Sequence, residues 1–339
     1  MCRAIKQLTA THVAAVHDSL DERANALASA YGGKIHPSPE ALVADPAVDV
    51  VYVGLPHHLL APAAHAALRA GKHAMVEKPM GLDIDQIRWL EDTASANDRV
   101  LVPVFELRTS GPVREARRLL RDGALGPVQV VRIRTVIDKP DSYWQSGPRG
   151  LVANSWRAQR AEAGGGVVLM NSIHQLDVVR FLTDLSFVSA MALTATLHAD
   201  VEVEDTAAAV LRLSNGGIAN LVAAAHSAGA VAEERIEFDG AAGRLDLPDA
   251  SGDGRASLRL YLRRPWRQLP AGEWLQLDVD RAEGYHALLN GVATAIHHGS
   301  RPPASANDAA AALATVLAIY ESAETAREAL VRSTAESTA

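Results

Sequence analysis

The sequence predicts an α/β protein in two parts. A parallel sheet with crossover helices comes first, and an α+β segment built on an open, mostly antiparallel sheet follows it. Two observations carry this expectation. Over the first hundred residues, short apolar runs alternate with helical patterns at the spacing of βαβ units. After Phe105 the strands lengthen and follow one another directly, two of them joined by Asn215-Gly216, a two-residue hairpin signal. The boundary falls near residue 104, giving parts 1–104 and 105–339.

The elements follow in order. Residues 12–18 read as a strand closing on Asp18, and 21–31 as an Ala-rich helix with Asp21 and Glu22 in its first turn and Gly32-Gly33 after its end. Residues 48–55, VDVVYVGL, form a near-continuous β-branched run that predicts a strand buried on both faces. A helix ending at Gly71, a strand at 73–76, a helix at 83–96 and a strand at 100–105 complete the first part. In the second, a helix at 112–122 precedes a long strand at 128–137, and 171–182 is helical by pattern. Strands are expected at 187–198, 205–213, 217–226, 234–239 and 258–262, and helices at 283–297 and 308–330.

Composition removes several function classes. The 33 basic and 40 acidic residues sum to −7 with no long basic run, which argues against nucleic acid as a partner. A single cysteine, Cys2, excludes a disulfide framework and a multi-cysteine metal site, and no H-E-x-x-H spacing supports a metal-dependent hydrolase. No apolar run approaches the ~18 residues of a membrane span, and MCRAIKQLTATHV lacks a signal-peptide core, so a cytoplasmic location without membrane contact is expected.

Three clusters carry candidate chemistry. Leu55-Pro56-His57-His58 follows a predicted parallel strand, where open α/β sheets bind ligands. Glu77-Lys78-Pro79 follows the next strand; a lysine there can orient a substrate hydroxyl, and the proline restricts it to extended geometry. Gly164-Gly165-Gly166 precedes Asn171, His174 and Asp177. The glycines permit a tight turn or a close approach to a ligand, and the three polar residues fall roughly along one side of a helix. A histidine is a natural proton acceptor for alcohol oxidation near neutral pH.

Order and spacing join these clusters. AALRAGKHAMVEKPMGLD, with GGGVVLMNSIHQLDVVRFLTD further on, resembles the Gfo/Idh/MocA family of nicotinamide-dependent oxidoreductases. LRDGALGPVQVVRIR, SWRAQ and EFDGAAGRLDLPD extend the resemblance along nearly the whole chain. It implies an N-terminal Rossmann domain, a C-terminal α/β domain whose open sheet forms a homo-oligomer (dimer or tetramer), and hydride transfer at a carbinol carbon of a sugar, cyclitol or related polyol. Lys78 matches the lysine of the family's EKP motif and His174 its catalytic histidine. Asp18 matches the acid that holds the adenosine ribose, and with Ser19 rather than a basic residue after it NAD is expected over NADP. Leu55, Pro56, His57, Glu77 and Lys78 match the nicotinamide side; Trp156, Arg157, Asn171 and Asp177 fall where substrate contacts are expected. Met170 stands where many members carry an acid.

The chain carries no G-x-G-x-x-G turn, and its first ten residues resemble the end of the helix that follows that turn in the family. The reading therefore expects a start lacking the first strand and glycine motif, with a groove between the strands at 12–18 and 48–55. The rival reading is a non-catalytic family member acting as a binding or partner subunit without a dinucleotide. The absent glycine motif favours it; Lys78 and His174 together favour the enzyme.

Overall fold

The computed structural model describes residues 1, 4, 5, 8, 11–147, 155–230, 233–251, 254–281 and 284–332. The chain divides into two compact units: Met1–Glu106 with Glu283–Ala306, and Leu107–Ala282 with Asn307–Ala339. The segment around 283–306 thus belongs with the first unit, although chain order alone assigns it to the second part.

In the first unit β1 (Ala15–Val16) pairs in parallel with β2 (Lys34–Ile35), and β3 (Val50–Val53), β4 (His73–Val76) and β5 (Leu101–Pro103) form a separate parallel sheet. Helix α1 (Asp21–Tyr31) lies between the first two strands in sequence, and a short α2 (Pro39–Val43), capped by the Ser38 hydroxyl, follows them. Helix α3 (His57–Arg69) buries Leu60, Ala61, Ala64, Ala67 and Leu68, an apolar stripe at helical spacing. Helix α4 (Ile84–Ala96) begins where the Asp83 side chain accepts from the Gln86 amide, and it buries Ile87, Leu90 and Ala94.

Two expectations are corrected here. The strands read at 12–18 and 48–55 shrink to two and four residues, and the second is not buried on both faces: Val53 is buried, but Tyr52 is 39% exposed. No ladder joins β1 to β3, so each is an edge strand that leaves a row of backbone groups unpaired on one side. At the start of the chain the amides of Ala4 and Ile5 bond to the Met1 carbonyl in a helical turn. Met1, Ala4, Ile5 and Leu8 pack against Met75, Val102, Val104, Leu288, Leu289 and Val292. The last three lie on α9 (Gly284–His298), so this helix closes the core of the first unit.

The second unit is built on a nine-stranded sheet. Its strands are β6 (Val128–Val136), β7 (Phe187–Ala195), β8 (Thr206–Leu213), β9 (Ile218–Ala224), β10 (Glu233–Gly240), β11 (Gly243–Leu247), β12 (Arg255–Leu262), β13 (Trp274–Asp280) and β14 (Ala329–Leu330), in the order β13-β12-β11-β10-β6-β9-β8-β7-β14. Every neighbouring pair is antiparallel except β6 and β9. Asn215-Gly216 turns β8 into β9 with Gly216 at φ 85°, a left-handed conformation that glycine adopts without steric cost. The sequence reading missed β2, β11 and β13, and its helix at 308–330 stops at Thr325, with β14 following. Strand β13, WLQLDVD, is a sheet-edge strand whose Leu275, Leu277 and Val279 alternate with exposed residues and are only half-buried. One face of the sheet is covered by α5 (Gly111–Arg121) and by α8 (Ile173–Thr183). On the other, Met191, Leu193, Val210, Ile218 and Val222 are half to three-quarters exposed. No helix among the described residues is long and apolar enough to cross a membrane.

Candidate active site

The first unit contributes three strand ends. At the end of β1, Asp18 accepts from the Leu20 amide at 3.0 Å, and its other oxygen pairs with Arg23 at 3.2 Å. Sequence reasoning missed this counter-ion, which lies one helical turn into the next element. At the end of β3, Leu55 is exposed, Pro56 takes the cap position of α3 and His57 is buried in its first turn. At the end of β4 come Glu77 and Lys78, with a cis Lys78–Pro79 peptide. Glu77 accepts a 2.6 Å hydrogen bond from the Tyr52 hydroxyl, which ties the ends of β3 and β4 together. Burial, with Glu106 and Glu77 nearby, pushes the Tyr285 phenol up, so it stays a proton donor beside two carboxylates. Tyr52 and Tyr285 are further residues that sequence reasoning did not single out.

These positions fit a dinucleotide at both of its ends. A carboxylate closes one parallel strand, as a ribose hydroxyl requires, and polar groups close the two strands of the neighbouring sheet.

In the second unit the triple glycine serves the fold. Gly164 ends α7 (Arg160–Ala163) in the left-handed conformation, φ 78°. A Cβ on Gly165 would strike the Tyr320 ring and hydroxyl, and one on Gly166 would strike the Glu204 carbonyl. The Glu204 carboxylate accepts from the Gly166 amide at 2.7 Å, the Val168 amide at 2.9 Å and the Tyr320 hydroxyl at 2.8 Å. Of the two uses read from the glycines, close approach is therefore to Glu204 and Tyr320 and not to a ligand.

A π-helical turn, Val168–Ser172, leads into α8, and here the expected row of polar groups divides. Asn171 and His174 are partly exposed, but Asp177 is 1% exposed, with Arg108 Nε at 2.8 Å and Nη2 at 2.6 Å on its two oxygens. Asp308 joins the same guanidinium at 2.9 Å. Asp177 is thus a buried ion-pair partner, which corrects its assignment to substrate. At about 100° per residue, six positions fall about 120° short of two full turns, so Asn171 and Asp177 do not share a face. Burial opposes the Arg108 charge, but Asp177 and Asp308 outweigh it and raise its pKa above the ordinary range.

Trp156 is 8% exposed and serves as a platform: the Arg157 guanidinium lies 4.3 Å over its ring and 5.3 Å from that of Tyr143. The opposing cation is Lys139, whose Nζ is 3.9 Å from the Tyr143 ring and 2.5 Å from Asn171 Oδ1. Burial lowers the Lys139 pKa to about 7; Glu234 and Glu204 counter that shift, and Arg157 adds to it. Sequence reasoning missed Lys139, although Lys139-Pro140 just after β6 repeats the pattern of Lys78-Pro79 after β4. Among the described residues no group of three or more His, Cys, Asp or Glu side chains is placed to hold a metal ion.

Residues 2–105 match the oxidoreductase family with an NAD-binding Rossmann fold, and residues 113–246 match the GFO/IDH/MocA C-terminal domain. Over 328 residues the chain is 30% identical to 1,5-anhydro-D-fructose reductase of Ensifer adhaerens, covering 95% of this chain and 91% of the relative. It is 26% identical to inositol 2-dehydrogenase of Rhizobium meliloti over 93% of this chain and 90% of that one. Among solved structures, aldose-aldose oxidoreductase from Caulobacter crescentus, complexed with glycerol, superposes with a TM-score of 0.83 at 26% identity, covering 97% of this chain and 94% of that one. Levoglucosan dehydrogenase in complex with NADH shares the fold, with a TM-score of 0.83 at 22% identity, over 95% of this chain and 91% of that one.

Proposed function

The chain belongs to the Gfo/Idh/MocA family of oxidoreductases and carries its NAD-binding Rossmann domain. From that premise we propose that it is a cytoplasmic NAD-dependent dehydrogenase or reductase acting on a carbinol carbon of a sugar, cyclitol or related polyol. One observation carries the reading: beside the whole-length match to a sugar reductase, the chain retains both Lys78, at the end of a parallel strand, and His174, in the first turn of α8. In this reading His174 takes the proton of the substrate hydroxyl and Lys78 donates a hydrogen bond to that oxygen. When bound, NAD would supply the hydride acceptor for that carbon. Asp18 holds the adenosine ribose, while Leu55, Pro56, His57 and Glu77 line the nicotinamide side. Arg157, Asn171 and the Trp156 platform meet the substrate.

The non-catalytic reading is set aside, because the relatives matched over most of this chain are themselves a reductase and a dehydrogenase. The exposed apolar row of Met191, Leu193, Val210, Ile218 and Val222 supports a homo-oligomer formed through the open sheet. Light scattering on the protein and on Leu193→Lys tests that point, with a monomeric wild type counting against it.

The test of function is spectrophotometric. Oxidation of NADH is followed with 1,5-anhydro-D-fructose, and reduction of NAD with myo-inositol and a panel of aldoses and polyols. Saturable turnover of at least one compound is expected. A folded protein that binds NADH and turns over none of them would remove the reading.

A further inference from the structure

Lys139 lies just beyond β6 and is 8% exposed, an unusual place for an ammonium group. Its surroundings come from several elements: the rings of Tyr143 and Trp144 on α6 (Ser142–Ser146), Asn171 in the π-helical turn, Glu234 on β10, Glu204 ahead of β8, and Arg157. Glu204 is already occupied by two amides and the Tyr320 hydroxyl, and Glu234 accepts from Gln175 Nε2 at 3.1 Å. The short bond from Lys139 therefore goes to a neutral amide rather than to a carboxylate.

That bond has a directional consequence. An ammonium group has three donors and no acceptor, so the atom of Asn171 that it meets at 2.5 Å is the oxygen. The amide nitrogen is then turned away from Lys139, and the two remaining N–H donors are aimed elsewhere. Among the described residues no protein group takes them, and Asn171 is partly exposed three positions before His174. An asparagine without such an anchor presents either end of its amide; this one turns its donors outward.

We propose that Lys139 is a positioning residue for the substrate: by holding Asn171 Oδ1 it fixes the Asn171 Nδ2 donors toward an acceptor oxygen, hydroxyl or carbonyl, of the sugar or polyol. This rests on the function proposed above. The lowered pKa of Lys139 means that the strength of this anchor changes close to neutral pH.

The experiment has two readouts, one of which needs no turnover. In the first, the side-chain amide resonance of Asn171, identified by its loss in Asn171→Leu, is followed by NMR against pH. It is expected to shift with a midpoint near 7 in the wild type, and to lie elsewhere and stay flat in Lys139→Met. In the second, kcat and KM are measured with whichever compound the function assay identifies. Lys139→Met is expected to raise KM by about tenfold, the scale of one hydrogen bond, with kcat within about threefold. Lys139→Arg, which also only donates, is expected to return KM to within about threefold of the wild type.

An Asn171 resonance indifferent to Lys139→Met overturns the anchor. A Lys139→Met variant that lowers kcat while leaving KM unchanged, or that Lys139→Arg fails to rescue, overturns the positioning role. If no compound is turned over, the functional reading falls by itself, and the amide titration alone decides whether Lys139 orients Asn171.

Discussion

Arg108 holds both oxygens of Asp177, at 2.8 and 2.6 Å, across 69 residues of chain. The pair ties the 3₁₀ turn Glu106–Thr109 to α8, and Asp308 on α10 (Ala306–Thr325) shares the same guanidinium. The Arg117 and Arg108 guanidinium groups both lie over the Phe181 ring, at 3.6 and 4.9 Å. Removing one partner leaves an uncompensated charge where no water reaches. Arg108→Met is expected to lower unfolding free energy by about 3–5 kcal/mol in urea titration, while the double variant Arg108→Met/Asp177→Leu recovers part of that loss. A loss below about 1 kcal/mol in Arg108→Met would contradict a buried, interdependent pair.

The glycines ahead of α8 make a graded prediction. At Gly165 the obstacle is the far end of the Tyr320 side chain, which can shift; at Gly166 it is the Glu204 backbone carbonyl, which cannot move alone. Gly166→Ala is therefore expected to lower the melting temperature more than Gly165→Ala, each within the ~1–3 kcal/mol typical of overpacking. The reverse order, read by thermal denaturation, would mean that the segment carrying Glu204 yields more easily than the ring.

Lys78→Ala and His174→Ala are each expected to lower kcat by at least about 100-fold, the scale of a positioned acid or base. Steady-state kinetics on folded variants checks this. Near-full kcat in either variant would strip that residue of its proposed role.

Asp18 is expected to favour NADH over NADPH, since its carboxylate accepts from a ribose hydroxyl and repels a phosphate in the same place. Arg23, paired to Asp18 at 3.2 Å, softens that repulsion. Asp18→Ala, which leaves Arg23 unpaired, is expected to narrow the difference between the two Kd values. Equal fluorescence-titration Kd values for NADH and NADPH in the wild type would reject the assignment.

Lys139 predicts a pH dependence of stability. Its pKa is about 7 folded and near the ordinary 10.5 unfolded, so between those values the unfolded chain binds the extra proton. Stability from this group therefore rises with pH through that window and is lowest below 7. Between pH 6 and pH 9 the wild type is expected to gain stability relative to Lys139→Met, as chemical denaturation at the two pH values would show. Parallel pH curves for the two proteins would mean that Lys139 keeps its ordinary pKa in the folded state.

By itself the sequence determined the parallel βαβ character of the first unit, the hairpin at Asn215-Gly216, the antiparallel run after it, and the positions of Lys78 and His174 at a strand end and on a helix. These are readable because periodicity, turn chemistry and motif spacing act over a few residues, and the backbone obeys them wherever the segment ends up. The tertiary structure alone decided where side chains spend their polar atoms. Asp177 turned from a candidate substrate contact into the partner of Arg108, and the glycines met Glu204 and Tyr320 instead of a ligand. Lys139, marked locally only by the Lys-Pro pair it shares with Lys78, came to orient Asn171. Those partners lie from 32 residues apart, for Lys139 and Asn171, to 155 apart, for Gly165 and Tyr320. Burial forces each polar group to find a partner, but which partner it finds depends on how distant elements pack, and a reading confined to short windows does not contain that information.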